Sequence, residues 1–136
     1  MFPTSQDSPR VLVVDDEQSV LDEVAAALDA DGFRCTLCTA PADALAKALI
    51  EPPELIISDI NLRGHSGLEM CEEIKSHAEL RDVPVMFLSG AQIPDIIRRS
   101  HAAGGTYYLR KPFDPEVLVE LVHKALYMPH LVAAHR

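Results

Sequence analysis

The chain has 136 residues, of which 48% are hydrophobic and 24% charged, and its formal net charge is −9. That length fits one domain, large enough to bury a core without disulfides or a structural metal. There is no apolar run of membrane-spanning length, the opening MFPTSQDSPR lacks a secretion signal's layout and predicts a cytoplasmic protein, and the acidic balance argues against direct nucleic-acid binding.

In chain order, the apolar pattern switches between short extended runs and amphipathic ones. Arg10–Asp15 (RVLVVD) is β-branched and aliphatic, which predicts a parallel strand buried on both faces. Val20, Leu21, Val24 and Leu28 then share one face of a helix that Gly32 closes. Phe33–Cys38 reads as a second strand. Pro41 opens a short helix through Leu49, where its missing N–H costs nothing. Glu54–Asp59 (ELIISD) is the third strand, and a loop with Gly64 and Gly67 leads to a helix over Leu68–Ser76. Val83–Ser89 is the fourth strand and Gln92–Ala103 a fourth helix, with Pro94 in its first turn. After Gly104 and Gly105 comes a fifth strand, Thr106–Leu109, and Asp114 caps a last helix from Pro115 to Tyr127. Five β-α repeats imply right-handed crossovers: an α/β, doubly wound domain over 10–127, with a five-stranded parallel sheet and helices on both faces. Residues 1–9 and 128–136 are expected to be flexible termini.

Ligands of open α/β sheets bind at the carboxyl ends of the strands. Strand one ends in Asp15-Asp16-Glu17, strand three in Asp59, strand four in Ser89, and strand five near Lys111. Each has a bland explanation alone: a helix N-cap for Asp15-Asp16, a turn-initiating Asp for Asp59, a helix cap for Ser89, and a surface lysine before a helix for Lys111. Together they converge. Carboxylates crowded into one crevice repel by on the order of 4 kcal/mol per pair at about 4 Å, so such a cluster either raises a pKa or holds a hard cation. A few oxygen ligands, with room left for water and a phosphate, favour Mg2+ over Ca2+. Lys111 and Ser89 supply a point charge and a donor for phosphoryl oxygens, so the edge reads as a phosphoryl-handling site. The three cysteines form no disulfide framework. Cys35 and Cys38 make a C-x-x-C spacing, but i and i+3 in a strand face opposite ways, which makes apolar filler the better reading. The six histidines, at 65, 77, 101, 123, 130 and 135, lack ligand spacing.

The runs VLVVDDE (Val11–Glu17), LIISDIN (Leu55–Asn61), FLSG (Phe87–Gly90) and YLRKPF (Tyr108–Phe113), in that order and spacing, resemble the receiver domains of bacterial two-component response regulators. The resemblance covers about residues 10–127. It implies the flavodoxin-like strand order 2-1-3-4-5 and a cis Lys111-Pro112 bond. It implies that Asp59 is the phosphoacceptor for a sensor histidine kinase or a histidine phosphotransfer protein. Asp15, Asp16, Asp59 and the backbone carbonyl of Asn61 would hold Mg2+, for which Mn2+ can substitute. Ser89 and Lys111 would bind the phosphoryl oxygens. Ser89 and Tyr108 would form a switch acting on a downstream protein through the face of the fourth helix, fifth strand and last helix, while Tyr107 points the other way. On this reading the protein is a phosphorylation-dependent switch rather than an enzyme, active at most in self-phosphorylation from small donors and autodephosphorylation. It is expected to stand alone without an output domain, or to be a fragment of a larger regulator or hybrid kinase.

The sequence also departs from the family's pattern. Arg63 stands where the family often has proline, which predicts a looser loop around Asn61. Ser89 and Gly90 replace the commoner Thr and Ala, and Ala91 offers no polar side chain near the phosphate. A phosphatase of the haloacid-dehalogenase type is a competing reading, but its second Asp, two residues after the nucleophile, is here Asn61, which cannot shuttle a proton. A flavin-binding flavodoxin is disfavoured by the acidic first loop. An unphosphorylated, receiver-like interaction module remains as the third alternative.

Overall fold

A computed structural model describes residues 8–90 and 107–127. The expected helix over 92–103, its flanking glycines and Ala91 lie outside those residues, as does the expected C-terminal tail. The sheet strands are β1 (Arg10–Val14), β2 (Arg34–Cys38), β3 (Leu55–Asp59), β4 (Val85–Ser89) and β5 (Tyr107–Arg110). They are all parallel, in the order β2-β1-β3-β4-β5. Helices α1 (Gln18–Ala30), α2 (Pro41–Ile50) and α3 (Gly67–Lys75) and a C-terminal helix (Pro115–Tyr127) connect or follow them.

Alternation along each strand splits the core into two layers, as a sheet covered on both faces requires. Val11 and Val13 of β1, with Leu55 and Ile57 of β3, join Leu21, Val24 and Leu28 of α1 and Leu118 and Val122 of the C-terminal helix. On the other face, Leu12, Val14 and Ile56 pack with Ala44 and Ala48 of α2 and Met70, Cys71 and Ile74 of α3. Truncating one such fully buried side chain, Leu12 for instance, costs about 2–5 kcal/mol through lost burial and the cavity left behind.

The expected punctuation operates. Gly32, at φ 89°, follows α1, Pro41 opens α2, and Asp114 Oδ1 accepts the Glu116 N–H at 2.9 Å. Three local features differ from the sequence expectation. Ser8 and Pro9 are not frayed: the Pro9 carbonyl accepts the Arg34 N–H, which extends the β1–β2 edge, and Ser8 is buried. A 3-10 turn at Ala78–Leu80 buries Leu80 beneath the second layer. The segment after β3 forms a small antiparallel hairpin pairing Asn61 with Ser66 and Leu62 with His65.

Candidate functional site

In the order β2-β1-β3, the chain runs from β1 outward to one edge and from β3 outward to the other, so the switch point lies between β1 and β3. Val14 pairs with Ser58, which sets Asp15 and Asp59 level, one residue on, at the carboxyl ends of those two strands. Local hydrogen bonds fix both carboxylates. Asp15 Oδ1 accepts the Glu17 N–H at 2.9 Å, which pins the carboxylate just ahead of α1. Asp59 Oδ1 accepts the Asn61 N–H at 3.0 Å.

Lys111 joins the two acids. Its Nζ donates to Asp15 Oδ2 and to Asp59 Oδ2, both at 2.8 Å. The Lys111 N–H donates to the Ser89 carbonyl at 2.7 Å, and the Lys111-Pro112 bond is cis. The lysine is largely enclosed: its side chain is 15% exposed, and that of Asp15 is 0% exposed. Burial lifts the Asp15 pKa above the usual carboxylate value, against the opposing pull of Lys111 and the Glu17 N–H. Burial alone would lower the Lys111 pKa, but its hydrogen bonds and charge pairing with Asp15 and Asp59 hold the ammonium above the ordinary lysine value.

Asp15, Asp16 and Glu17 can bring one carboxylate oxygen each to within 4.8 Å of one another. With Asp59 close by on the same ammonium, this all-oxygen donor set suits a hard divalent cation. Ser89 is buried at the end of β4. Tyr108 pairs in register with Phe87, and their rings stack with centroids 6.1 Å apart. Phe87 and Tyr108 lie on the α2/α3 face, and Ser89, two residues past Phe87, shares that face by alternation. Tyr107 is in the opposite layer.

The cysteines are inert in the expected way. Cys35 packs against one layer and Cys38 belongs to the other. Three residues apart in a strand, their Cα atoms are separated by roughly 10 Å, too far for a disulfide.

Two residues matter more than the sequence suggests. A Cβ built on Gly67 would lie 2.0 Å from the Asp59 carbonyl oxygen, so the start of α3 rests directly on the backbone of the candidate acceptor. Arg63 stands in a defined turn. At φ 47°, followed by Gly64 at φ 85°, it forms the two-residue turn of the hairpin, with the positive φ at both positions that a type I′ turn needs. Its Nε lies 3.5 Å from Asp16 Oδ2. A shallow pocket of about 310 Å³ opens beside this pair, lined by Asp16, Thr39, Pro41, Leu62, Arg63 and His65.

Comparison with known proteins agrees with this fold. The family model for the response regulator receiver domain matches residues 11–123, and the chain belongs to that family. Among its relatives, the phosphate regulon transcriptional regulatory protein PhoB of Pseudomonas aeruginosa is 31% identical over 109 residues, which are 80% of this chain and 48% of PhoB. The transcriptional regulatory protein PrrA of Mycobacterium tuberculosis is 38% identical over 119 residues, 88% of this chain and 49% of PrrA. The chain thus spans about half the length of the curated relatives it matches. Among solved structures, the chemotaxis protein CheY4 of Vibrio cholerae superposes with a TM-score of 0.82 at 29% identity, covering 88% of this chain and 99% of CheY4.

Proposed function

We propose that Asp59 is the phosphoacceptor of this receiver domain, in a Mg2+-dependent transfer from a phosphohistidine of a sensor kinase or phosphotransfer protein. One observation carries the reading. A single ammonium, Lys111 Nζ, is hydrogen-bonded to carboxylates from two strand ends on either side of the switch point. Asp59 Oδ attacks phosphorus, the bond to the donor nitrogen breaks, and the electron pair leaves with the imidazole. Lys111 and the Ser89 hydroxyl meet the phosphoryl oxygens as charge spreads over them. Asp15, Asp16, Asp59 and the Asn61 carbonyl are the ligand set for Mg2+, with Mn2+ as a substitute. When bound, the cation adds positive charge against the transferring group.

Once Asp59 carries the phosphoryl group, Ser89 turns toward it and Tyr108, on the same sheet face, moves into the space released. That remodels the surface around β5 and the C-terminal helix, where a downstream protein docks. Domain bounds of 10–127 belong to the same proposal. The chain acts as a switch, and its acidic charge disfavours direct contact with nucleic acid. No helix among the described residues is long and apolar enough to cross a membrane; a cytoplasmic location belongs to the same proposal. The phosphatase alternative lacks its proton shuttle, because Asn61 stands two residues after Asp59 and meets Asp59 through its backbone N–H.

The test is incubation with acetyl phosphate and Mg2+, read by intact mass. One phosphoryl group should add, and chelation or Asp59→Ala should abolish the addition. Phosphorylation that persists in Asp59→Ala refutes the assignment.

A further inference from the structure

Arg63 occupies a conformation that disfavours it. A non-glycine residue in the left-handed region costs on the order of 1–2 kcal/mol, and the first position of a type I′ turn prefers Asn, Asp or Gly. The hairpin nevertheless holds it there, through the Asn61–Ser66 and Leu62–His65 pairs. Its base is tied to the candidate acceptor by the bond from the Asn61 N–H to Asp59 Oδ1. The consequence is placement: the turn sets a guanidinium beside Asp16.

Two cations thus divide the acids of the crevice. Lys111 holds Asp15 and Asp59 through two short bonds and is largely enclosed. Arg63 meets Asp16 through a single Nε contact at 3.5 Å, with its side chain 80% exposed. That contact is longer than a charge-assisted hydrogen bond of about 2.7–2.9 Å. A guanidinium so exposed swings into water on its own side chain without disturbing the turn. It is the weakly held cation of the two.

We infer that Arg63 is the resident counter-charge of Asp16 and competes with a divalent cation for that carboxylate, so that this guanidinium raises the Mg2+ concentration at which the crevice fills. The inference rests on the reading of Asp16 as a metal ligand. An exposed ion pair of this kind opposes binding by a factor of about two to five, and salt screens it.

The experiment is isothermal titration of the unphosphorylated full chain with Mg2+ at low and high KCl. Arg63→Gln removes the charge. Arg63→Asn does so with a residue that accepts the left-handed turn, which separates charge from backbone strain. Arg63→Lys keeps the charge. Lys75→Gln, at the far end of α3, makes the same net change away from the crevice. Arg63→Gln and Arg63→Asn should both bind Mg2+ about two- to five-fold more tightly at low salt, with the gain shrinking as KCl rises. Arg63→Lys and Lys75→Gln should match the wild type. Unchanged or weaker binding in the two neutral variants, or an equal gain in Lys75→Gln, overturns the role of Arg63 while leaving the metal site standing. No measurable Mg2+ binding by any of the proteins overturns the metal reading itself, and this inference with it.

Discussion

Replacing Gly67 with alanine tests how firmly α3 braces the acceptor strand. The added Cβ would sit 2.0 Å from the Asp59 carbonyl oxygen and 3.1 Å from both the Asp59 carbonyl carbon and Ser58 Oγ. The obstacle is mostly backbone, and the Gly67 N–H also donates to the Ile60 carbonyl at 2.7 Å, so neither side yields by a rotamer change. Restoring a tolerable contact requires the end of β3 and the start of α3 to part by about 1 Å. Overpacking of that kind costs about 1–3 kcal/mol, or roughly 4–12 °C in melting temperature for a domain of this size. The larger effect falls on chemistry, because displacing a reacting group by about 1 Å costs on the order of 100-fold in rate. The chain has no tryptophan, so the time course of phosphorylation by acetyl phosphate is followed by intact mass, beside a thermal melt. Gly90→Ala is the matched control, since nothing among the described residues lies within 4 Å of a Cβ there; it should melt and react as the wild type does. A Gly67→Ala protein that keeps both the wild-type melt and the wild-type rate refutes the bracing argument.

Three other outcomes follow from the same geometry. Lys111→Ala should fold but lose about 3 kcal/mol of stability in Mg2+-free buffer, the low end for a broken buried pair, because the wholly buried Asp15 loses its cation. Millimolar Mg2+ should recover part of that loss, and a deficit unaffected by Mg2+ would count against shared neutralisation of the acids. In the wild type Mg2+ should raise the melting temperature through binding to the folded state alone, and Asp16→Asn should shrink the rise; an equal rise in the variant removes Asp16 from the ligand set. Burial pushes the thiols of Cys35 and Cys71 up to about 12, which leaves roughly one in 10,000 as thiolate at pH 8. Native protein should therefore resist iodoacetamide at both positions, while denatured protein reacts. Fast labelling of the native state would show that the thiols are not enclosed.

What the sequence determined by itself follows from rules that act over a few residues. Strand and helix identity came from apolar periodicity, visible in VLVV of β1 and in Leu21, Val24 and Leu28 of α1, while Gly32 marked a helix end and Pro41 and Asp114 marked helix starts. The convergence of Asp15, Asp59, Ser89 and Lys111 was legible too, because a parallel sheet must deliver every strand's carboxyl end to one edge. Tertiary structure alone decided how those groups share charge. Whether Lys111 stands at the rim or between two carboxylates depends on β5 lying against β4, a contact that no local pattern encodes. Gly67 shows the same limit: its φ is unexceptional, and only the approach of the Asp59 backbone makes a side chain impossible there. The hairpin after β3 was missed because Arg63-Gly64 lacks the Asn-Gly signature of its turn. Backbone bias at Arg63 favours other conformations, and the pairing of Leu62 with His65, with Leu62 buried in the second layer, overrides it. Local propensities are worth about 1 kcal/mol or less per residue, whereas burial and pairing act across elements and decide wherever the two conflict.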